Sequence, residues 1–169
     1  MHTRLATPDD APAIARIYNQ GIEDRIATFE TRLRSEADIR AWFEDAAHPI
    51  VVVTEGEQVI AYAATSLYRP RECYAGIAEF GVYVARDWRG KGAGRQAMLA
   101  LFEQAEAKGF WKLVSRIFVE NTASRALMRS VGFREVGIYE KHGQLDGVWR
   151  DCVIVERLLE PKSGFGAGR

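Results

Sequence analysis

The stretch DWRGKGAGRQA, residues 87–97, alternates glycines with small and basic residues between an apolar segment and a helical pattern. Its glycines are Gly90, Gly92 and Gly94, and its basic residues near them are Arg89, Lys91 and Arg95. Glycines allow backbone N–H groups to converge, and the start of a following helix favours an anion. The stretch therefore predicts either a phosphate-binding loop or a plain strand-to-helix turn, because short glycine patterns alone do not separate the two.

Two known phosphate-binding patterns do not fit this stretch. A Walker A loop ends in Gly-Lys-Ser/Thr, which is absent here. The dinucleotide fingerprint G-x-G-x-x-A is met by Gly92, Gly94 and Ala97, and Glu120 follows at the end of the next predicted strand. In that fingerprint the glycines directly follow the strand, whereas ARDWRGK intervenes here, so a dinucleotide fold is excluded.

Length and composition predict one cytoplasmic domain. The 169 residues suit a single core, assigned to residues 1–160, and the glycine-rich end at 161–169 is expected to be a flexible tail. The 23 basic and 23 acidic side chains cancel, which argues against nucleic acid as a partner. No apolar run approaches the about 20 residues that span a bilayer. The missing apolar run argues against a membrane. Cys73 and Cys152 are isolated thiols without metal-ligand spacing, so we expect no metal and a reducing cytoplasm.

The hydrophobic pattern predicts helices and strands in mixed order. Helices are predicted from about Pro8 to Asp24 and after Ser35, whose capping partner is Asp38. A hairpin of two apolar strands turns at Gly56, and strand, helix, strand, helix, strand and strand follow. This order predicts a mixed α/β fold with one βαβ crossover near the middle.

Three segments together resemble the acetyl-CoA site of the GNAT superfamily of N-acetyltransferases: VYV at 82–84, RGKGAG at 89–94 and NTASRALMRSVGF at 121–133. They occur in the family's order and spacing, and the similarity extends over nearly the whole chain. The resemblance implies the GNAT fold, a mixed and mostly antiparallel splayed β-sheet flanked by helices, with a strand ahead of the first helix. It also implies acetyl-CoA as the co-substrate.

The resemblance assigns cofactor contacts residue by residue. Loop amides from Gly90 to Arg95 would bind the pyrophosphate, and backbone groups of Val82 and Val84 would pair with pantetheine as another strand would. Asn121 would hold the pantetheine arm, and asparagine is equally a good helix N-cap. The expected cofactor-binding set is Val82, Tyr83, Val84, Arg89, Gly90, Lys91, Gly92, Ala93, Gly94, Arg95 and Asn121.

Glu79 is the candidate catalytic base. In the strand IAEFGVYV, residues 77–84, a period of two puts Glu79 on the face opposite Ala78 and Phe80. An acceptor amine arrives as an ammonium ion, so a carboxylate must accept a proton, directly or through water, before nitrogen attacks. The alternative is a solvent-exposed carboxylate. Met128 stands where many GNAT enzymes carry a tyrosine, and its thioether cannot donate a proton, which leaves the general acid unassigned.

The loop YRPRECY, residues 68–74, brings Arg69 and Arg71 close in sequence to Glu79. Two guanidinium groups suit an amino acid that carries a carboxylate and a second anionic group. A solvated loop with weak surface ion pairs is the alternative. For His142, a turn-flanking surface position is favoured over a contact with substrate or a partner subunit.

A narrower resemblance concerns the acceptor. The segments TFET at 28–31, YRPR at 68–71 and KHG at 141–143 are similar to the phosphinothricin N-acetyltransferase group, and WKLVSRIF at 111–118 is most similar to arsinothricin N-acetyltransferases. The similarity implies a homodimer that acetylates the α-amine of glutamate-mimicking amino acids. It implies that Phe29 and Glu30 line the substrate pocket. The implied ligands of the substrate's anionic groups are Arg69 and Arg71.

These patterns lead to one predicted function, the acetyl-CoA-dependent acetylation of a small anionic amino acid. Arsinothricin and phosphinothricin are the lead substrates, and their detoxification is the expected consequence. Three alternatives stay open at this point: a methionine sulfone or sulfoximine N-acetyltransferase, an enzyme that acetylates peptide N-termini, and a CoA-binding module without catalysis.

Overall fold

The computed structural model describes residues 1–162, in which seven strands form one mixed sheet and four helices flank it. The strands are β1 (His2–Leu5), β2 (Ile50–Glu55), β3 (Gln58–Leu67), β4 (Ile77–Val84), β5 (Lys112–Phe118), β6 (Arg134–Leu145) and β7 (Val148–Leu158). The helices are α1 (Ala11–Glu23), α2 (Glu36–Arg40), α3 (Ala93–Ala107) and α4 (Thr122–Ser130). Most of the tail expected at 161–169 lies outside the described residues.

The sheet has the order β1-β2-β3-β4-β5-β7-β6, and β4 and β5 run parallel while the other neighbours are antiparallel. The crossover between β4 and β5 contains α3, as a parallel pair requires. This arrangement confirms the predicted α/β class with a mixed, mostly antiparallel sheet.

Two apolar layers cover the sheet. On one face, α3 buries the stripe of Met98, Leu101 and Phe102 against the sheet. On the other face, α1 buries Ile14 and Ile17. The start of α2 is fixed by the predicted capping box, since the Ser35 hydroxyl accepts the N–H of Asp38 at 3.1 Å and the Asp38 carboxylate accepts the N–H of Ser35 at 2.8 Å.

The strand β1 was absent from the elements predicted by pattern and was implied only by the resemblance. Its sequence HTRL has no alternation of apolar and polar residues, and all four residues are exposed. It is nevertheless held by antiparallel pairing with β2, from His2 opposite Thr54 to Leu5 opposite Val51. The pairing is therefore a tertiary effect that local pattern does not encode.

The feature that creates the site is the separation of β4 from β5. The two strands pair only at Ile77, Ala78 and Glu79 within the described chain, although β4 continues to Val84. Just beyond the last pair, the Ser115 hydroxyl donates a hydrogen bond of 2.9 Å to the carbonyl oxygen of Phe80. The strands then diverge and leave a gap between their backbones.

Candidate functional site

A cleft of about 820 Å³ follows the gap between β4 and β5. One end of the cleft reaches the glycine loop before α3, and the other end reaches Glu79 and the segment from Ala27 to Glu30. Residues of α4, among them Leu127 and the buried Met128, close one wall. The cleft thus joins the predicted phosphate-binding loop to the predicted catalytic strand.

The glycine loop has the backbone geometry of an anion site. Gly90 and Gly92 have φ angles of +75° and +91°, which side chains rarely permit. Because α3 begins at Ala93 and Gly92 provides no side-chain cap, the N–H groups of the first turn have no intrahelical acceptor. Gly94 serves close packing, since a Cβ atom there would lie 3.0 Å from Cδ2 of Leu127.

The basic side chains around the loop are held by local partners. Arg89 donates to Asp24 at 2.6 Å, and Arg95 donates to the carbonyl of Ser130 at 3.1 Å. Hydrogen bonds from Arg86 and Arg89 lower the pKa of Asp24. Both Arg89 and Arg95 line the cleft.

Two members of the predicted loop set do not line the cleft. Lys91 donates to the carbonyl of Asp87 at 3.0 Å and lies over the ring of Trp88. Ala93 is buried in the core at the start of α3. These two residues can therefore contribute backbone N–H groups rather than side chains.

The exposed edge of β4 suits an extended ligand. Since the Phe80 carbonyl points toward β5, alternation along the strand directs the main-chain groups of Val82 and Val84 into the same gap. The Val84 carbonyl accepts a hydrogen bond of 3.3 Å from Nε of Arg89. The main-chain groups of Tyr83 point the other way, toward β3, and burial raises the pKa of its phenol.

Asn121 caps α4, as predicted. Its side-chain oxygen accepts the N–H of Ser124 at 3.2 Å, and its amide nitrogen donates to the carbonyl of Ile26 at 3.4 Å. The residue also lines the cleft.

The cap predicts a specific stability difference. The Asn121→Ala variant is expected to lose about 1 kcal/mol of unfolding free energy, within the range of about 0.5–2 kcal/mol for lost N-caps, because the N–H of Ser124 loses its acceptor. The Asn121→Asp variant keeps an acceptor and should retain wild-type stability. Urea denaturation measures both, and equal loss in the two variants would contradict the capping role.

Glu79 lies at the point where β4 and β5 separate. It pairs with Ser66 of β3 on one side and with Val114 of β5 on the other. Its side chain is 27% exposed, and Nη2 of Arg116 donates to its Oε1 at 3.1 Å. The carboxylate is therefore accessible from the cleft and held in place by a guanidinium group.

A second cavity of about 390 Å³ meets the cleft at Glu79. The two cavities share four residues of β4: Glu79, Phe80, Gly81 and Tyr83. The second cavity lies between β3 and the segment that follows α2, residues 41–48, and its lining includes several aromatic rings, with His48 held by Asp45 at 2.6 Å. Glu79 thus faces a long cleft on one side and a smaller, largely aromatic cavity on the other.

The remaining predicted substrate residues divide into two groups. Phe29 and Glu30 line the cleft, and the ring of Phe29 packs edge-on against Phe118 with 4.7 Å between centroids. Arg69 and Arg71 are exposed on the connection between β3 and β4 and line neither cavity. Their guanidinium groups lie over the rings of two neighbours in the same loop, Tyr68 and Tyr74.

Sequence reasoning missed Ser115 and Arg116 of β5. Both line the cleft beside the separation point. A signal was available in WKLVSRIF, because parallel pairing of Glu79 with Val114 puts Arg116 on the same face, two residues farther along. His142 is exposed, as favoured, but it also lines the cleft, and its Nε2 lies 3.3 Å from Nη1 of Arg116.

Residues 1–162 contain no group of three or more His, Cys, Asp or Glu side chains that could hold a metal ion. No helix within these residues is long and apolar enough to cross a membrane.

Comparison with known proteins identifies the family. The model of the acetyltransferase (GNAT) family matches residues 14–133. An L-methionine sulfoximine/L-methionine sulfone acetyltransferase of Pseudomonas aeruginosa is 36% identical over 156 residues, which are 90% of this chain and 91% of that protein.

Solved structures agree with this match. A ribosomal-protein-alanine N-acetyltransferase from Brucella melitensis superposes with a TM-score of 0.90 at 34% identity and covers 94% of this chain and 100% of its own. A phosphinothricin acetyltransferase from Sinorhizobium meliloti, solved with acetyl-CoA, gives a TM-score of 0.88 at 29% identity, over 98% of this chain and 94% of its own. The chain therefore belongs to the acetyltransferase (GNAT) family and is a GNAT N-acetyltransferase.

Proposed function

We propose that this enzyme acetylates the α-amine of a small amino acid whose side chain carries a tetrahedral oxo centre. The candidates are phosphinothricin, arsinothricin and methionine sulfone or sulfoximine. The observation that carries the proposal is the meeting of the two cavities at Glu79, with a cofactor-sized cleft on one side and a small aromatic cavity on the other. Sequence identity favours the methionine sulfone type, at 36%, only slightly over the phosphinothricin N-acetyltransferase of Alcaligenes faecalis, at 32%.

Acetyl-CoA fits the cleft by the chemistry of its walls. The positive-φ loop and the first turn of α3 suit the pyrophosphate, and the gap-facing edge at Val82 and Val84 suits the amide-bearing arm. Asn121 would hold that arm with its side-chain amide. When bound, acetyl-CoA supplies the acetyl group as a thioester.

The chain's own groups supply the proton chemistry. Glu79 accepts a proton from the acceptor ammonium, directly or through water, which frees the nitrogen lone pair for attack. A main-chain N–H at the gap-facing edge of β4 stabilises the negative charge that develops on the carbonyl oxygen. Met128 cannot donate a proton to the leaving thiolate, so the general acid for that step stays unassigned.

In this proposal the amine of the acceptor lies beside Glu79, where the two cavities meet. The acceptor's side chain enters the smaller cavity between β3 and the segment that follows α2, past Ser66 and Leu67. Arg69 and Arg71 follow directly in sequence at the end of this wall, where they would meet an anionic group at the far end of the side chain. Phe29 and Glu30 close the opposite side from the cleft.

Protein N-terminal alanine is the second candidate acceptor, since the Brucella structure named for that activity is 34% identical. A thiol-release assay with acetyl-CoA decides between them. The panel contains phosphinothricin, arsinothricin, methionine sulfone, methionine sulfoximine and an alanine-starting peptide. Turnover of the free amino acids with little turnover of the peptide supports the proposal, and the reverse order contradicts it.

We also propose that the enzyme is a homodimer. The β6–β7 hairpin at the sheet edge exposes more than half of each of four large apolar side chains, Ile138, Tyr139, Val148 and Trp149. A second copy of this chain would cover them. Light scattering should give twice the chain mass for the wild type and a shift toward the single mass for Trp149→Glu. A monomeric wild type would refute the dimer.

A further inference from the structure

The ion pair of Glu79 and Arg116 places one negative and one positive group side by side, as a binding site for a zwitterion requires. The two side chains come from neighbouring strands, and their charged atoms lie 3.1 Å apart at the wall of the cleft. An α-amino acid carries its ammonium and carboxylate groups on one carbon. The two charges of the amino acid are therefore about as close together as those of Glu79 and Arg116. The ammonium group can lie against Glu79 while the carboxylate lies against Arg116.

Arg116 has unused N–H donors that could bind the carboxylate of such a ligand. Of the five N–H groups of its guanidinium, the bonds recorded within residues 1–162 use one for Glu79 and one for His142. The contact with His142 uses the imidazole Nε2 as acceptor when the ring proton is on Nδ1. The Arg116 side chain is 44% exposed, so a carboxylate can reach the remaining donors.

The other arginines do not fit this role. Arg89 and Arg95 lie at the glycine-loop end of the cleft and are bonded to Asp24 and Ser130. Arg69 and Arg71 line neither cavity in the described chain. Since the carboxylate is one carbon away from the reacting amine, its partner must lie beside Glu79, where Arg116 is.

We propose that Arg116 binds the α-carboxylate of the acceptor while Glu79 takes the proton of its α-ammonium group. The inference rests on the proposed acetylation of an amino acid and deepens it, because it makes the α-carboxylate a requirement of the site. Arg116 is then a specificity-determining residue.

The test compares one acceptor with and without its carboxylate. Methionine sulfone has a side chain without charge, so its α-carboxylate is its only anionic group, and 3-(methylsulfonyl)propylamine is the same molecule without it. The wild type should prefer the amino acid in kcat/KM by roughly 10- to 100-fold, the size of a hydrogen bond to a charged group. In Arg116→Gln this preference should fall to about 1. Arg116→Lys should keep part of it, since it keeps the charge without the fork.

The control is Arg40→Gln, at an exposed arginine that pairs with Glu36 and lines neither cavity, which should leave the preference for the carboxylate at its wild-type value. If Arg116→Gln lowers kcat/KM for both acceptors by the same factor, Arg116 only positions Glu79 and the proposal is wrong. If the wild type turns over neither acceptor, methionine sulfone drops out of the proposed substrates, and calorimetry with methionine sulfone in the presence of CoA still decides the role of Arg116. Binding lost in Arg116→Gln supports the carboxylate contact, while equal binding, or none to the wild type, overturns it.

Discussion

Replacing Glu79 by glutamine is expected to lower kcat at neutral pH by about 10²- to 10⁴-fold, the usual contribution of a positioned base. Glutamine has nearly the same shape and keeps an oxygen for the hydrogen bond from Arg116, so the fold and the cleft should be preserved. It cannot accept the proton of the ammonium group. The dissociation constant of acetyl-CoA, measured by calorimetry, should therefore remain near its wild-type value.

The loss of kcat in Glu79→Gln should also depend on pH. As pH rises, more of the acceptor amine is already neutral, so the deficit of Glu79→Gln should narrow. Glu120→Gln is the matched control, because Glu120 is an exposed carboxylate just beyond β5 and lines neither cavity. A kcat of Glu79→Gln equal to that of the wild type at neutral pH would remove Glu79 as the base.

The second large effect is expected at Gly94. A Cβ atom there would lie 3.0 Å from Cδ2 of Leu127 and 3.5 Å from Cγ2 of Val84. The branched side chain of Gly94→Val would push the first turn of α3 away from α4 and β4, at a cost of about 1–3 kcal/mol for overpacking. We expect acetyl-CoA binding to weaken by about tenfold to a hundredfold, because the amides of that turn move with the helix.

Gly137→Val provides the comparison, since nothing lies within 4 Å of a Cβ atom at Gly137 and its φ is not in the left-handed region. Calorimetric titration with acetyl-CoA should give wild-type affinity for this control. Thermal unfolding of both variants separates a local shift from loss of the fold. Wild-type affinity in a folded Gly94→Val protein would show that the close approach of α3 to α4 does not shape the cleft.

Much of the fold could be predicted because its signals are local. The capping box of Ser35 and Asp38, the turn at Gly56 and the apolar stripe of α3 are each set by residues within a few positions. The β1 strand has no such signal, since HTRL is exposed and gains its structure by pairing with β2. Local sequence pattern therefore could not predict the pairing of strands that are far apart in the chain.

The same distinction governs the site. Arg69 and Arg71 are near Glu79 in sequence, yet the chain turns between them and the strand, and both side chains end over aromatic rings outside the cavities. Arg116 is 37 positions from Glu79 and touches it, because the register of β4 and β5 brings them together. A residue on the second strand of a pair can be found from sequence only after the register is known.

The hydrogen bond from the Ser115 hydroxyl to the Phe80 carbonyl, the bridge, marks one end of the gap between β4 and β5. The glycine loop begins soon after Val84 at the other end. Four residue steps separate Phe80 from Val84, which is about 13 Å at roughly 3.3 Å per residue. In the proposed binding mode, the arm of acetyl-CoA between the thioester and the pyrophosphate lies along this edge, so the length of the edge favours the full-length donor. A short thioester such as S-acetyl-N-acetylcysteamine would reach the bridge and Glu79 but leave the loop empty. A donor too short to occupy both the loop and the region beside Glu79 would thus be discriminated against at the binding step.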